Sequence, residues 1–358
     1  MHRSFDIAVF QGDGIGPEIM APTVELLTGL TVGSGYDLNW IDLPAGAAHY
    51  AKTGESLPAT SMEGARAADA ILLSAMGLPS IRYPDGTEIA PQIDLRKALT
   101  LFAGVRPVTI RPGQPTPLAT DKPVDFVLIR ESTEGLFYTQ GRGEVEADEA
   151  RETLRITRAI SEPLFRFAFD MAHARKASGQ GPGKVTCVDK ANVFRAFAFF
   201  REMFDAEAAK HPEIEADHAY VDATALWMVE RPWSFDVMVT ENMFGDILSD
   251  LGAGLMGGLG LAPSADIGAD HAVFQPCHGS APDIAGQGVA NPMAMILSGA
   301  MMLEWLAGRH DMPAMAEDAK KLRSAVDAIV SEGRVLTRDL GGTAGTAEVA
   351  AAVKGALA

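Results

Sequence analysis

Cysteine is scarce in this sequence, and basic residues are few relative to acidic ones. The 358 residues include two cysteines, Cys187 and Cys277, which argues against a disulfide-stabilised secreted domain and fits a reducing compartment. Thirty lysines and arginines stand against 47 aspartates and glutamates, giving a formal net charge of −17. We therefore expect no nucleic acid and no anionic membrane as partner, and any anionic substrate must meet a local cluster of basic residues.

Long apolar runs are also missing. The longest uncharged stretches contain glycine and proline and are too short to cross a bilayer, and residues 1–6 lack the apolar core of a secretory signal. We therefore expect a cytoplasmic protein. The length and the 47% of apolar residues suit two globular domains with a sizeable core.

Short apolar runs alternate with segments of helical periodicity along the chain. Strands are predicted at residues 6–10, 36–43, 70–75, 126–130, 184–188 and 237–240, with helices between most of them. This alternation predicts an α/β fold with an open, largely parallel sheet covered on both faces. The loop after the first strand is not a dinucleotide-binding fingerprint, because Pro17 stands where the third glycine is required, so no standard Rossmann domain is expected.

The segment at residues 236–251 organises the predicted site. An apolar strand ends at Thr240, and the helix that follows carries Asp246 and Asp250, four residues apart on one face. Two like charges at this spacing destabilise a helix by about 0.2 to 0.5 kcal/mol, and a bound divalent cation would offset the repulsion. The alternative is a pair of solvated aspartates, and the charged residues near other strand ends favour the metal site.

Three arginines come from segments that meet at one edge of the predicted sheet. Arg96 lies on a helix, Arg106 enters a strand, and Arg130 ends another strand. Taken alone, each of these residues is best interpreted as an ordinary surface arginine. Together, three guanidinium groups would bind a di- or tricarboxylate that an acidic protein otherwise repels. Lys190 and Asp222 are further polar groups at strand ends.

Two irregular segments have other predicted uses. Residues 137–158 predict an exposed hairpin, an arm of the kind that pairs with a second subunit. Residues 275–286 are mostly small, so their backbone amides can approach phosphates, and Asp283 among them can accept hydrogen bonds from ribose hydroxyl groups.

These motifs, in this order, resemble the β-decarboxylating dehydrogenases, the family of isocitrate, 3-isopropylmalate, homoisocitrate and tartrate or D-malate dehydrogenases. The resemblance covers almost the whole chain through GDGIGPE at 12–18, LRKALTLFAGVRP at 95–107, IREST at 129–133, DKANV at 189–193, YVDA at 220–223, FGDILSDL at 244–251, HGSAPDIAG at 278–286 and NP at 291–292. It implies an isopropylmalate dehydrogenase-like fold of two domains around a central cleft. The large cofactor-binding domain would comprise residues 1–101 and 257–358, and residues 102–256 would form a smaller domain for dimerisation, metal and substrate.

The resemblance also implies a role for each matching residue. The implied binders of substrate carboxylates are Arg96, Arg106 and Arg130. The implied ligands of Mg²⁺ or Mn²⁺ are Asp222, Asp246 and Asp250. Lys190 and Asp222 are the implied proton-transfer groups, and both would come from the partner subunit of a homodimer. The implied cofactor contacts are His278, Gly279, Ser280, Ala281, Asp283 and Asn291. Asp283 favours NAD, because a carboxylate repels the 2′-phosphate of NADP, and K⁺ is a candidate additional cation.

The implied reaction is the metal-dependent oxidation of a 2-hydroxy acid by NAD⁺, followed by decarboxylation. Members of the family usually carry a tyrosine at the position of Phe137, and here Tyr138 comes next. Tyr138 is the candidate general acid, although a slip of one residue in a regular strand turns a side chain to the opposite face.

The substrate substituent would be recognised by residues that precede the first arginine, namely Ile89, Gln92 and Ile93. They suggest room for an apolar or small group at C3 with one polar contact. A 3-substituted (R)-malate such as 3-isopropylmalate is the first choice, tartrate or D-malate the second, and isocitrate the third. Two alternatives come from other classes. The retained charged residues speak against a catalytically silent regulatory subunit, and a metal-dependent binding protein without redox chemistry would give no NADH with any 2-hydroxy acid.

Overall fold

The computed structural model describes residues 2–357. The strands are β1 (Arg3–Phe10), β2 (Tyr36–Asp42), β3 (Ala70–Leu73), β4 (Ala103–Thr109), β5 (Asp125–Glu131), β6 (Glu144–Val145), β7 (Ala150–Arg151), β8 (Lys184–Asp189), β9 (Glu215–Tyr220), β10 (Val237–Thr240), β11 (Pro263–Ile267) and β12 (Ala272–Pro276). The α-helices are α1 (Gly16–Thr31), α2 (Ala47–Thr53), α3 (Ala59–Ala67), α4 (Pro91–Ala98), α5 (Arg158–Ala177), α6 (Arg195–Ala208), α7 (Val221–Glu230), α8 (Asn242–Leu255), α9 (Met293–His310), α10 (Pro313–Glu332) and α11 (Thr346–Ala356).

One ten-stranded sheet, in the order β2-β1-β3-β12-β11-β4-β5-β10-β8-β9, organises the described residues. Six of its nine neighbouring pairs are parallel, and the three antiparallel pairs are grouped at the centre, β12 with β11, β11 with β4 and β4 with β5. This confirms the predicted open, largely parallel α/β sheet. None of the helices within residues 2–357 combines the length and the apolarity that a membrane span requires.

The centre of the sheet is also where distant parts of the chain meet. The strands on one side come from residues 3–73 and 263–276, and those on the other side come from residues 103–240. One cluster of buried side chains nevertheless contains Ile7, Val105 and Val185, so the core continues past the central strands. The division at residues 101 and 257 into a large and a smaller domain stays a prediction.

Hydrophobic burial explains why the central elements form. Every residue of β3 (AILL) and of β10 (VMVT) is buried, as expected for parallel strands covered on both faces. Helix α9 is apolar almost all round and packs against β11, β12 and α10. These elements fix the strand ends that carry the candidate site.

The structure differs from the predicted elements in two places. The sequence pattern predicts no strand where β11 and β12 form, because Pro263, Gly268 and Pro276 interrupt the apolar residues. The hairpin predicted at residues 137–158 is shorter than expected, since β6 and β7 are two residues each, Arg155 forms only an isolated bridge with Gly135, and Arg158 already begins α5. The alternation at residues 153–158 is therefore not a strand.

Candidate active site

A pocket of about 240 Å³ lies beyond the carboxyl ends of β3, β5, β10 and β12. An edge formed by the carboxyl ends of parallel strands is where open α/β sheets bind ligands. Its polar lining includes Gln92, Arg96, Arg106, Arg130, Asp246, Asp250, Gln275 and His278. The structure thus brings together the three predicted arginines and two of the three predicted metal ligands.

Arg96 and Arg106 are held by one buried carboxylate. Asp266, on β11, accepts from Arg96 Nε at 2.8 Å and from Arg106 Nη2 at 3.0 Å, and Gln275 Nε2 donates to it at 2.7 Å. Burial opposes the ionisation of Asp266, but the two guanidinium groups outweigh it and hold the pKa of the carboxyl well below its usual range. The two arginines are therefore fixed before any substrate binds.

Arg130 is attached to helix α8. Its Nε and Nη2 both donate to Asn242 Oδ1, at 2.9 and 2.7 Å, and its Nη1 pairs with Asp246. Gly245 permits this contact, because a Cβ there would lie 2.6 Å from Arg130 Cβ. Burial and then the Arg96 charge lower the pKa of the Arg130 guanidinium to about 10.

Asp246 and Asp250 provide a carboxylate pair at the mouth of the pocket. Burial, and next the neighbouring Asp246 charge, raise the pKa of Asp250. A divalent cation would relieve this repulsion, and oxygen ligands suit Mg²⁺ and Mn²⁺. The donor set therefore fits such an ion, with Asp246 and Asp250 as two of its ligands.

Lys190 and Asp222 do not line this pocket. Lys190 Nζ donates to Asp222 Oδ1 at 2.5 Å, and the Asp222 side chain is 69% exposed. The hydrogen bond from Lys190 lowers the pKa of Asp222. Within one chain, the predicted proton-transfer pair thus stands apart from the arginines and from the other two metal ligands.

Phe137, and not Tyr138, lines the pocket. The Arg130 guanidinium lies 5.2 Å from the centre of the Phe137 ring. The Tyr138 ring is instead covered by Arg155, at 3.5 Å from its centre, and by Arg142, at 4.9 Å. Residues 136–139 form a short 3₁₀ helix and not the regular strand that the prediction considered. Tyr138 does not line the pocket, so the structure does not bring it to Arg96, Arg106 and Arg130.

The residues predicted to recognise the C3 substituent are only partly at the pocket. Gln92 and Ile93, in the first turn of α4, line it together with Met76. The Gln92 Oε1 atom is buried and has no hydrogen-bond partner within the described residues. Ile89 is completely buried in the core and does not reach the lining.

A second pocket of about 220 Å³ adjoins the first, and His278 lines both. Asn291 lies in the second pocket, where its side chain donates to Asp339 at 3.0 Å and accepts from the Met293 backbone at the start of α9. Burial lowers the pKa of His278, and its buried Nε2 atom has no partner within the described residues. A neutral imidazole between two pockets suits contact with two ligands.

The predicted cofactor loop packs on the loop that follows β1. Ser280 Oγ donates to the Gly77 carbonyl, and the Ser280 backbone carbonyl accepts from the Ile15 amide at 2.8 Å, so Ser280 joins the two loops. Its predicted contact with the cofactor stays a prediction. Gly14 allows this approach, since a Cβ there would lie 2.0 Å from the Ser280 carbonyl oxygen. The remaining predicted residues of this loop are less enclosed: Gly279 and Asp283 are exposed, and Ala281 is half-buried with φ of 36°.

Three site residues are not predicted from the sequence as parts of the first or second pocket. Asp266 and Gln275 belong to two strands that are not predicted, although Gln275 begins the segment at 275–286 that is predicted to approach phosphates. Arg338 lines the second pocket from a segment without a motif. The only available signal was for Asp266, a single charge in the apolar run at residues 261–267. Such a charge must be paired when it is buried.

A buried carboxyl beside the site gives a pH-dependent prediction. Burial, opposed in part by hydrogen bonds from Thr133, raises the pKa of Glu131 to about 7 from 4.5. The folded protein therefore keeps a proton that the unfolded chain releases, and stability falls as the pH rises from 4.5 towards 8. We expect wild-type stability, measured relative to Glu131→Gln, to fall by about 1 to 3 kcal/mol over this range.

Urea unfolding of both proteins at pH 5 and pH 8 measures this difference, and repulsion from the overall negative charge cancels in the comparison. A free-energy difference between the two proteins that stays constant with pH would contradict the raised pKa.

Comparisons with known proteins agree with this geometry. The sequence profile of the family described as isocitrate/isopropylmalate dehydrogenase matches residues 6–353. The 3-isopropylmalate/3-methylmalate dehydrogenase of Methanocaldococcus jannaschii is 40% identical over 351 residues, which cover 98% of this chain and 97% of that protein. The 3-isopropylmalate dehydrogenase of Methanothermobacter thermautotrophicus is 42% identical over 352 residues, 98% of each chain. The crystal structure of isocitrate dehydrogenase from Methylococcus capsulatus superposes with a TM-score of 0.86 and 38% identity, covering 100% of this chain and 99% of that one.

Proposed function

The chain belongs to the isocitrate/isopropylmalate dehydrogenase family, and we propose that it oxidises a 3-substituted (R)-malate with NAD⁺ and releases CO₂. The observation that carries the proposal is the pair of adjoining pockets at His278, one lined by arginines and acidic residues and the other by Asn291. This arrangement suits transfer of a hydride from a bound hydroxy acid to a neighbouring nicotinamide.

The charges of the first pocket select the ligands. Three guanidinium groups face the carboxylates of Asp246, Asp250 and Asp266, so the formal charges balance within one chain. A dicarboxylate adds two negative charges and a divalent cation adds two positive ones, so binding both preserves the balance. We therefore expect substrate and cation each to increase the affinity for the other.

The reaction divides into hydride transfer and decarboxylation. A divalent cation held by Asp246 and Asp250 would make the substrate hydroxyl more acidic and would stabilise the negative charge left as CO₂ departs. Arg96, Arg106 and Arg130 would hold the carboxylates, and the Lys190–Asp222 pair would take up the hydroxyl proton. Because Phe137 has no proton to donate, the final protonation at carbon would be left to water or to the Lys190–Asp222 pair.

A homodimer is part of this proposal, because one chain does not assemble the whole site. The exposed face near Lys190 and Asp222 carries apolar side chains on α7 and α8, with Leu226 53%, Val229 50% and Ile247 63% exposed. Apolar patches of this kind mark protein contacts. A second copy seated there would cover them, and would bring its Lys190–Asp222 pair to this chain's Asp246 and Asp250.

The pocket favours an apolar C3 substituent, and one observation favours a second candidate. Ile93 and Met76 offer an apolar wall, which suits 3-isopropylmalate or 3-methylmalate. The unpartnered Gln92 Oε1 would instead accept a hydrogen bond from the C3 hydroxyl of tartrate.

NAD is the proposed acceptor, because the Asp283 carboxylate in the cofactor loop repels a 2′-phosphate. Arg338 at the second pocket is the one lining group that would favour NADP, and parallel assays with both cofactors decide between them. The two free cysteines, Cys187 and Cys277, suit the cytoplasm as the proposed location.

The decisive assay measures NADH and CO₂ in parallel, with Mn²⁺ and K⁺ present. The substrates are 3-isopropylmalate, 3-methylmalate, D-malate, the tartrates, isocitrate and homoisocitrate. We expect equal amounts of NADH and CO₂ with a 3-alkylmalate. NADH without CO₂ would show a plain dehydrogenase, as Phe137 permits, and no NADH with any substrate would favour the silent subunit.

A further inference from the structure

A cluster of two histidines and a glutamate lies outside the candidate active site. His173 Nε2 is 3.1 Å from His211 Nδ1 and 3.1 Å from Glu213 Oε1, and the three ligand atoms all lie within 4.8 Å of one another. His173 belongs to the end of α5, and the other two residues belong to the segment between α6 and β9. We propose that these three side chains bind a zinc ion.

The separations suit a tetrahedral ion. With Zn–N and Zn–O distances near 2.1 Å, neighbouring ligand atoms stand about 3.4 Å apart. Two of the three ligand pairs already approach this separation. The Glu213 side chain is 56% exposed, so water can supply the fourth ligand. Two imidazoles and one carboxylate are a donor set that zinc accepts more readily than Mg²⁺ does.

The orientation of His211 is fixed by groups that do not contact the proposed ion. Its Nε2 lies 3.3 Å from Glu207 Oε1, and its ring stacks on Phe169 with a centroid distance of 4.8 Å. Glu207 is 4% exposed and ionised beside Lys210, so it accepts the Nε2 proton and leaves the Nδ1 lone pair for the metal. Lys176 lies nearby but donates to the Glu213 backbone carbonyl at 2.7 Å, which leaves the carboxylate available.

The cluster is independent of the proposed catalytic cation. It precedes the amino ends of β8 and β9, whereas Lys190 and Asp222 follow their carboxyl ends. The two sites therefore share no ligand, and zinc here would connect the last turn of α5 to the segment after α6. Zinc bound only to the folded protein would also raise the midpoint of thermal unfolding.

Zinc binding by the whole, tag-free protein tests the proposal directly. After removal of metals with a chelator, zinc is titrated against a chromophoric competitor, with excess Mg²⁺ to occupy Asp246 and Asp250. We expect one zinc per chain in the wild type and at least a 100-fold loss of affinity in the double variant His173→Ala/His211→Ala. Glu207→Gln should weaken binding about 10-fold to 100-fold by releasing His211.

The matched control is His218→Ala, which removes a nearby histidine paired with Asp205 and should leave the zinc affinity unchanged. Glu213→Gln changes an exposed side chain, so it tests the site even if the double variant does not fold. Absence of zinc from the wild type, or wild-type affinity in Glu213→Gln, would overturn the proposal.

Discussion

Lys190→Ala should lower kcat by about 100-fold to 10 000-fold, the usual contribution of a positioned proton-transfer group. The reason is that the alanine chain can still bind the substrate through its arginines but cannot accept the hydroxyl proton. Steady-state kinetics with the substrate found in the parallel NADH and CO₂ assay measures the loss. We expect kcat to fall much more than KM rises, because Arg96, Arg106 and Arg130, the proposed binders of the substrate carboxylates, are unchanged in this variant.

A mixture of two inactive variants tests whether the two subunits share each active site. A Lys190→Ala chain and an Asp246→Asn chain, each inactive alone, would form one intact site when they pair. Random exchange of subunits in an equal mixture should therefore restore about a quarter of wild-type activity, as expected for a two-fold symmetric dimer. Lys184→Ala, at the other end of β8, is the control that should remain active. Mixtures with no recovered activity, despite confirmed exchange of subunits, would contradict the shared site.

Asp266→Asn should lower the free energy of unfolding by about 3 to 5 kcal/mol, since removing one partner of a buried ion pair leaves the remaining charges uncompensated. Here two guanidinium groups lose their common counter-ion, and Asp266 itself is fully buried. Denaturant unfolding at neutral pH and one protein concentration measures the loss. A dicarboxylate substrate should stabilise the variant more than the wild type, because it replaces the missing negative charge.

Asp270→Asn is the matched control for this experiment. Asp270 lies in the turn between β11 and β12, but its side chain is 80% exposed and its pairing with Arg309 is long, at 3.5 Å. Surface pairs of this kind contribute about 0 to 1 kcal/mol. If the two asparagine variants had equal stability, Asp266 would not be the residue that holds the arginines in place.

The sequence alone predicts the parts of the fold that rest on local patterns. The buried strand before Asp246 and the helix that carries this residue follow from an apolar run and a helical period, and both are present. Helix α9 likewise coincides with an apolar segment that follows Pro292. These elements need no knowledge of distant partners, because burial decides their structure.

Other features depend on contacts between distant residues and could not be predicted. Asp266 is separated from Arg96 by 170 residues, and although a lone charge in an apolar run needs a partner, nothing near it in the sequence shows which residues pair with it. Tyr138 was the candidate general acid because it carries a hydroxyl, yet the positions of Arg142 and Arg155 decide where its ring lies. The exposure of Ile247 could not be predicted either. An isoleucine within a helical period suggests a buried side chain, but Ile247 is 63% exposed.

The central position of β11 has a consequence for synthesis on the ribosome. Arg96 and Arg106 emerge well before Asp266, because β11 comes from the last third of the chain. Domains generally fold from the N-terminus as they are made, so the strands from residues 103–240 can pair while both arginines still lack their counter-ion. The insertion of the β11–β12 pair between β3 and β4 then joins the two sides of the sheet and brings Asp266 to the two arginines. The first pocket is thus completed when the sheet is completed. A nascent chain that stops before residue 263 lacks Asp266 and cannot hold Arg96 and Arg106 in place.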